Sequence, residues 1–162
     1  MDEAFRKGVG AAAGRQEIIL AVRDLYARVQ AQIDLRRPIC ELSGRCCRFE
    51  EYGHRLFVTT LEMAVFLQDL EASRRAAGGP WDGTGCPFQE GKVCTVHSFR
   101  PFGCRMFFCD PTAEDWQREH HERFLTEIKG LHDQLGVPYH YLEWRRALAA
   151  MGLSQSPHPE VP

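Results

Sequence analysis

CPFQEGKVCTVHSFRPFGCRMFFC, residues 86–109, holds four of the chain's seven cysteines, and CELSGRCC, residues 40–47, holds the other three. Seven thiols between Cys40 and Cys109 are more than packing requires, so the segment reads as bonded, either sulfur to sulfur or sulfur to metal. That choice decides the fold. A stretch this rich in Gly, Pro and polar residues has no long apolar period of its own and needs a cross-link to hold a shape.

Outward from the cysteines the chain turns helical on both sides. Ile18, Val22, Leu25, Val29 and Ile33 recur at spacings of 4, 3, 4 and 4, which predicts an amphipathic helix over 15–37, stopped at Pro38. RLFVT, residues 55–59, reads as a short strand. Thr59 with Glu62 forms a capping-box signature for a helix running to about Arg75, followed by a loop over 76–85.

Cys86 to His97 reads as a hairpin turning at Glu90–Gly91, and Ser98 to Cys109 as turns with a helical piece near Arg100–Pro101. Thr112, with Asp115 three positions on, is the expected cap of a helix to Leu135. Its stripe is Trp116, His120, Phe124, Ile128, Leu131 and Leu135, closed by Gly136 and Pro138. A last short helix is expected to carry Tyr141, Trp144 and Leu148. Residues 1–14, rich in Gly and Ala, are expected to be flexible, and 152–162 to form a disordered tail.

The expected architecture is one domain over 1–162 and mainly α with a small β-hairpin. Its helices, including those over 112–150, surround an irregular, metal-organised cysteine-rich centre at 40–109.

A chain of 162 residues is long enough to bury a core without staples. Its formal charge of −2 offers no field to draw nucleic acid or an anionic membrane, and neither partner is expected. No apolar run approaches the roughly 20 residues of a membrane helix. MDEAFRKGVGAAAGRQEI has no apolar core of a secretory signal, so a cytoplasmic location is expected. Disulfides do not persist there, and an odd number of cysteines cannot all pair, so metal is the expected partner of the thiols.

The ligand pattern is not that of an ordinary zinc finger, because no C-x2-C pair occurs; Cys94-x2-His97 comes nearest. Four cysteines also suit an iron–sulfur cluster, which tolerates looser spacing. Adjacent side chains diverge by about 180° on a strand and about 100° on a helix. Cys46 and Cys47 are therefore expected to serve two centres, or to split into one ligand and one core residue. Arg45, Arg48, Arg100 and Arg105 bracket the thiols and would help keep them ionised. His54, His97 and His120 are possible nitrogen ligands, although His120 lies on an apolar stripe and His121 looks solvent-facing. No HExxH pair and no deaminase set is present, and GVGAAAG at 8–14 lacks the spacing of a phosphate loop.

C-x5-C-C at Cys40–Cys47, C-P-F from Cys86, C-T-V-H from Cys94, Arg100–Pro101 and C-R-M-F-F-C from Cys104 together resemble the YkgJ-like cysteine-cluster proteins. Y-L-E-W at Tyr141–Trp144 is similar to a stretch that several members carry after their cluster. The family is described as a zinc- or iron-chelating domain with a CxxCxxCC-type start. Here Ser43 stands where that pattern has a further cysteine, and His97 where many members have tyrosine.

The resemblance implies Cys40, Cys46, Cys47, Cys86, Cys94, Cys104 and Cys109 as ligand candidates for Zn2+ or iron, alternatively a [4Fe–4S] cluster. By order along the chain, Cys86, Cys94, Cys104 and Cys109 are the safest set for one closed site. The expected function is metal binding through a structural thiolate site. The alternatives are an iron–sulfur protein for electron transfer or part of a protein-modifying enzyme, and a metal chaperone or store.

Overall fold

The computed structural model describes residues 1–74 and 81–154. Its centre is helix α4, Thr60–Ala72, in which Leu61, Met63, Ala64, Val65 and Phe66 are all buried. Consecutive apolar residues leave a helix no solvent face, so α4 must be covered on every side. Helices α1, Asp2–Ala12, and α2, Gln16–Arg36, pack onto it. Helix α6, Glu114–Leu135, packs onto α2, and the last helix, α7, Trp144–Ala150, packs onto α1. The molecule is mainly helical, as the periodicities require.

Helix α4 starts where the capping box places it. Thr59 N–H and Oγ1 donate to Glu62 Oε2 at 3.0 and 2.9 Å, and Glu62 N–H donates back to Thr59 Oγ1 at 3.4 Å. It ends at Ala72, short of Arg75, which lies outside the described residues with 76–80 of the 76–85 loop and the tail from 155. Helix α2 closes on Arg37 in the left-handed region, φ 53°, just before Pro38. The long helix α6 closes on Gly136, φ 65°.

Strand β1, Phe57–Thr59, pairs antiparallel with β4, Tyr141–Glu143, in the register Phe57↔Glu143 and Thr59↔Tyr141. Trp144 N–H extends the ladder to Leu56 O at 2.8 Å. A second pairing joins β2, Gln89–Glu90, to β3, Val93–Cys94, across a turn at Gly91 with φ 62°, which is the expected hairpin.

Between α2 and α6 the remaining helical pieces are single turns: α3, Phe49–Tyr52, and α5, Phe102–Arg105. Among the described residues no helix is long and apolar enough to cross a membrane.

Several expectations give way. The first residues are not frayed: Phe5, Val9 and Ala12 form one stripe of α1 with no exposed area, and Gly8 lets α1 approach Thr60. Small residues there serve close helix packing. Tyr141 belongs to β4, and the last helix begins at Trp144.

Thr112 does not cap α6. It sits in a 3-10 turn capped by Asp110, whose Oδ1 accepts from Thr112 N–H at 2.9 Å and Oγ1 at 2.7 Å. The helix stripe is right at Phe124 and Ile128, but its third fully buried residue is His132, where the apolar pattern runs through Leu131.

Candidate metal centre

Gly44 opens the site with φ 73°, and Arg45–Cys47 form one 3-10 turn behind it. With that φ and with Lys92 O 3.1 Å from where a Cβ would stand, glycine is the residue that lets the turn sit against the β2–β3 hairpin without strain. Gln89 Nε2 then donates to Gly44 O at 2.9 Å. Gly85, φ 59°, plays the same part on the other side, because its Cβ would lie 2.7 Å from Cys47 O. With that approach open, Cys86 N–H donates to Cys47 O at 2.8 Å. These two glycines stitch CELSGRCC to the start of CPF, which no helix or long strand does.

The stitching brings thiols together. Cys46 Sγ and Cys47 Sγ are 4.0 Å apart, and Cys86 and Cys94 are the next thiols to act on Cys47. The expected divergence of the vicinal pair is thus not met, because the tight 3-10 turn holds both sulfurs on one side. A tetrahedron of sulfurs about 2.3 Å from zinc has edges of about 3.8 Å. The vicinal separation is close to that edge. Among the described residues, though, no group of three His, Cys, Asp or Glu side chains is placed to hold a metal ion.

The thiols act strongly on one another. Hydrogen bonding from Cys47 pulls Cys46 down to about 6 and Cys94 down to about 7, with the Arg100 guanidinium adding a smaller effect at both. Cys86 is lowered first by Cys47, and the Trp144 indole N–H, 3.4 Å from its sulfur, contributes further. Cys47 moves the other way: three neighbouring sulfurs and burial keep its proton on.

Cys104, carried by α5, is pushed well up by burial and by the charge of Cys86, Cys94 and Cys46. It is the fifth member. Neither Cys40, which is exposed, nor Cys109 is among the principal groups acting on these five.

Glu62 links this centre to the core. Its buried carboxylate accepts from Phe102 N–H at 2.9 Å and from Tyr26 OH at 3.3 Å through Oε1. It therefore caps α4 and also tethers the first turn of α5, two residues before Cys104. Burial raises its pKa despite those hydrogen bonds. The capping box was readable in the sequence; this second duty was not, because nothing local relates Glu62 to Phe102.

The bracketing arginines divide. Arg100 supports the thiolates. Arg105 donates to Arg100 O at 2.8 Å and lies 4.2 Å over the Tyr26 ring. Arg45 lies over Tyr52, and Arg48 bonds Ser43 O and Glu51.

The histidines stand aside. His97 is exposed and turned to Arg100. His120 Nδ1–H donates to Trp116 O at 2.9 Å and its Nε2 lies 3.4 Å from Gln32 Oε1, so it joins α6 to α2. His54 Nε2–H donates to Cys46 O at 3.1 Å, which makes it a brace for the thiol turn. Its Nδ1 is buried without a hydrogen-bond partner among the described residues.

The chain matches no protein-family model, no curated protein and no solved structure.

Proposed function

We propose that this protein binds a thiophilic metal ion, zinc in the first place, through Cys46, Cys47, Cys86 and Cys94, with Cys104 alongside. The observation that carries the reading is the joining of two thiol-bearing segments 39 residues apart, with the Cys46 and Cys47 sulfurs 4.0 Å apart and Cys86 N–H bonded to Cys47 O across two positive-φ glycines. Bound there, zinc would cross-link the 3-10 turn to the hairpin. Binding free energy would then be folding free energy for a region with little secondary structure. The role is structural: the ion supplies a joint, while Trp144, Arg100 and the His54 brace set the charge and position of the sulfurs.

This ligand set differs from the order-based one. Cys86 and Cys94 remain, the vicinal pair joins them, and Cys109 drops out.

Elemental analysis with an absorbance spectrum of anaerobically purified protein tests the proposal. About one zinc per chain in a colourless sample is expected. Iron with acid-labile sulfide and a brown colour would replace zinc with a cluster at the same thiols, a reading the fifth sulfur of Cys104 keeps open. Protein that takes up neither, and whose spectrum ignores chelator, would end the metal reading.

A further inference from the structure

On the side of the thiol centre formed by Cys46 and Cys104 lies a cleft with a volume of about 320 Å³. Small-molecule sites are concave, mostly apolar and furnished with a few placed polar groups, and about 300 Å³ is the lower end of their size range. Two aromatic stacks line this cleft. One is Phe57 on Tyr141, centroids 5.2 Å apart and 28° from parallel, carried by the β1–β4 ribbon. The other is His54 on Phe107, 4.7 Å apart and 24° from parallel. Flat faces of this kind favour a flat guest through offset stacking.

The polar groups come from one helix face. Gln117 and His121 are four residues apart on α6 and both line the cleft. Gln117 Oε1 already accepts from Phe108 N–H at 2.9 Å, which leaves its amide N–H donors. His121 stacks on Phe102 at 5.2 Å, and its ring has no hydrogen-bond partner among the described residues. Burial lowers its pKa, so near neutral pH the ring offers one donor and one acceptor. Among the described residues no carboxylate lines the cleft, and the guanidinium that does, Arg55, is already engaged.

We propose that this cleft binds a small, flat, uncharged ring compound with an amide or lactam edge. The ring lies against the aromatic stacks, and the edge pairs its carbonyl and N–H with Gln117 and His121. A carboxylate would present two acceptors to an imidazole that also needs an acceptor for its N–H and a donor for its bare nitrogen. A tertiary amide has no N–H to give. The inference goes beyond metal binding and does not depend on it, although the guest would lie next to Cys46 and Cys104.

The test is an NMR titration of the full chain, labelled with 15N, using benzamide, N,N-dimethylbenzamide and benzoate as probes. Benzamide should give saturable shifts at Phe57, Gly103, His121 and Tyr141. It should bind at least about tenfold tighter than either of the other two, a difference of about 1.4 kcal/mol. His121→Phe keeps a ring against Phe102 and should bring the benzamide to dimethylbenzamide ratio to about one. Tyr141→Ala should weaken all three probes. Both positions are partly exposed, and the backbone spectrum reports whether each variant is folded.

The proposal is overturned if folded wild-type protein shows no saturable benzamide shifts at those residues, or if benzoate binds tightest. An unchanged ratio in His121→Phe overturns it as well. Zinc content is measured on the same samples. Benzamide binding without zinc removes only the metal reading, and zinc without benzamide binding removes only this one.

Discussion

The helical layer around α4 and the two cysteine stretches, residues 44–56 and 81–109, meet at Phe66, yet they are held together by different physics. Around α4 the chain uses length and period: helices of 11 to 22 residues close their stripes over Phe5, Ile18, Leu25 and Phe124. In those two stretches no helix exceeds four residues and no strand exceeds two. Apolar burial at about 25 cal/mol per Å2 stabilises the first region without help. The second buries a handful of side chains such as Phe88, Phe102 and Met106 against that core, and otherwise has two glycine-dependent contacts, a few side-chain bonds to backbone and five sulfurs. The difference teaches where a metal would matter: it would be redundant in the first region and decisive in the second.

Phe66→Ala should have the largest effect. Phe66 touches Trp144 edge-on at 4.9 Å and reaches across to Phe88 at 5.5 Å and Phe99 at 5.6 Å. Truncation should cost about 3–5 kcal/mol in denaturant unfolding, with or without chelator. Because Phe88 and Phe99 belong to the cysteine segment, zinc affinity should fall too. Unchanged affinity would mean that the two regions fold independently.

Cys47→Ser cuts the comparison the other way. The hydroxyl neither ionises near neutral pH nor replaces a sulfur within reach of three others. Zinc affinity, read by competition with a chelating dye, should drop at least about 100-fold. The far-ultraviolet helical signal should barely change, because no long helix depends on the site. Collapse of that signal would show that the thiols support the whole fold.

Glu62→Gln lies between the two. Each carboxylate oxygen takes two of the four donors, so an amide N–H2 in place of either would face two of them, one a backbone N–H, costing about 2 kcal/mol. The pH dependence has a definite sign. Burial raises the folded pKa above the ordinary 4.5. The folded protein therefore holds this proton when the unfolded chain has released it. The group's contribution is full below 4.5 and is lost as pH rises through the folded value. Stability against pH above 4.5 should flatten in Glu62→Gln, and an unaltered slope would remove Glu62 from the linkage.

Much of the helical layer was legible because its information is local. The spacing of Ile18 to Ile33, the Thr59 and Glu62 pair and the Gly136 stop each need one segment only. The errors have a common physical source, which is contact across the chain. Helix α1 depends on α4 and α7 to bury Phe5 and Val9, so its Gly and Ala looked like slack. Tyr141 reads as helix until β1 is there to pair with it. At the site, the cysteine types and their region were legible, but the grouping was not. Chain order favours Cys109 over Cys46, whereas Gly44, Gly85 and the Cys86 to Cys47 backbone bond, on which the proposed set rests, are contacts between segments far apart in the chain. His121 was read as solvent-facing because its partner Phe102 comes from a four-residue helix with no period to detect.

The smallest effects are expected from Cys40→Ser and Cys109→Ser, and they draw the boundary of the site. Both residues flank a joint that already has its own hardware: Ile39 N–H donates to Asp110 Oδ2 at 3.0 Å, and Asp110 also caps the turn before α6. The carboxylate, 5% exposed, holds residues 39 and 110 together without any sulfur. Each substitution should therefore leave zinc stoichiometry unchanged and move stability by no more than about 0.5 kcal/mol. Asp110→Ala should cost more than either, by about 1 kcal/mol, as a lost cap and a lost cross-chain bond. If instead Cys40→Ser or Cys109→Ser halves the metal content, the outer pair belongs to a second centre, and the cysteine segment would carry two joints instead of one.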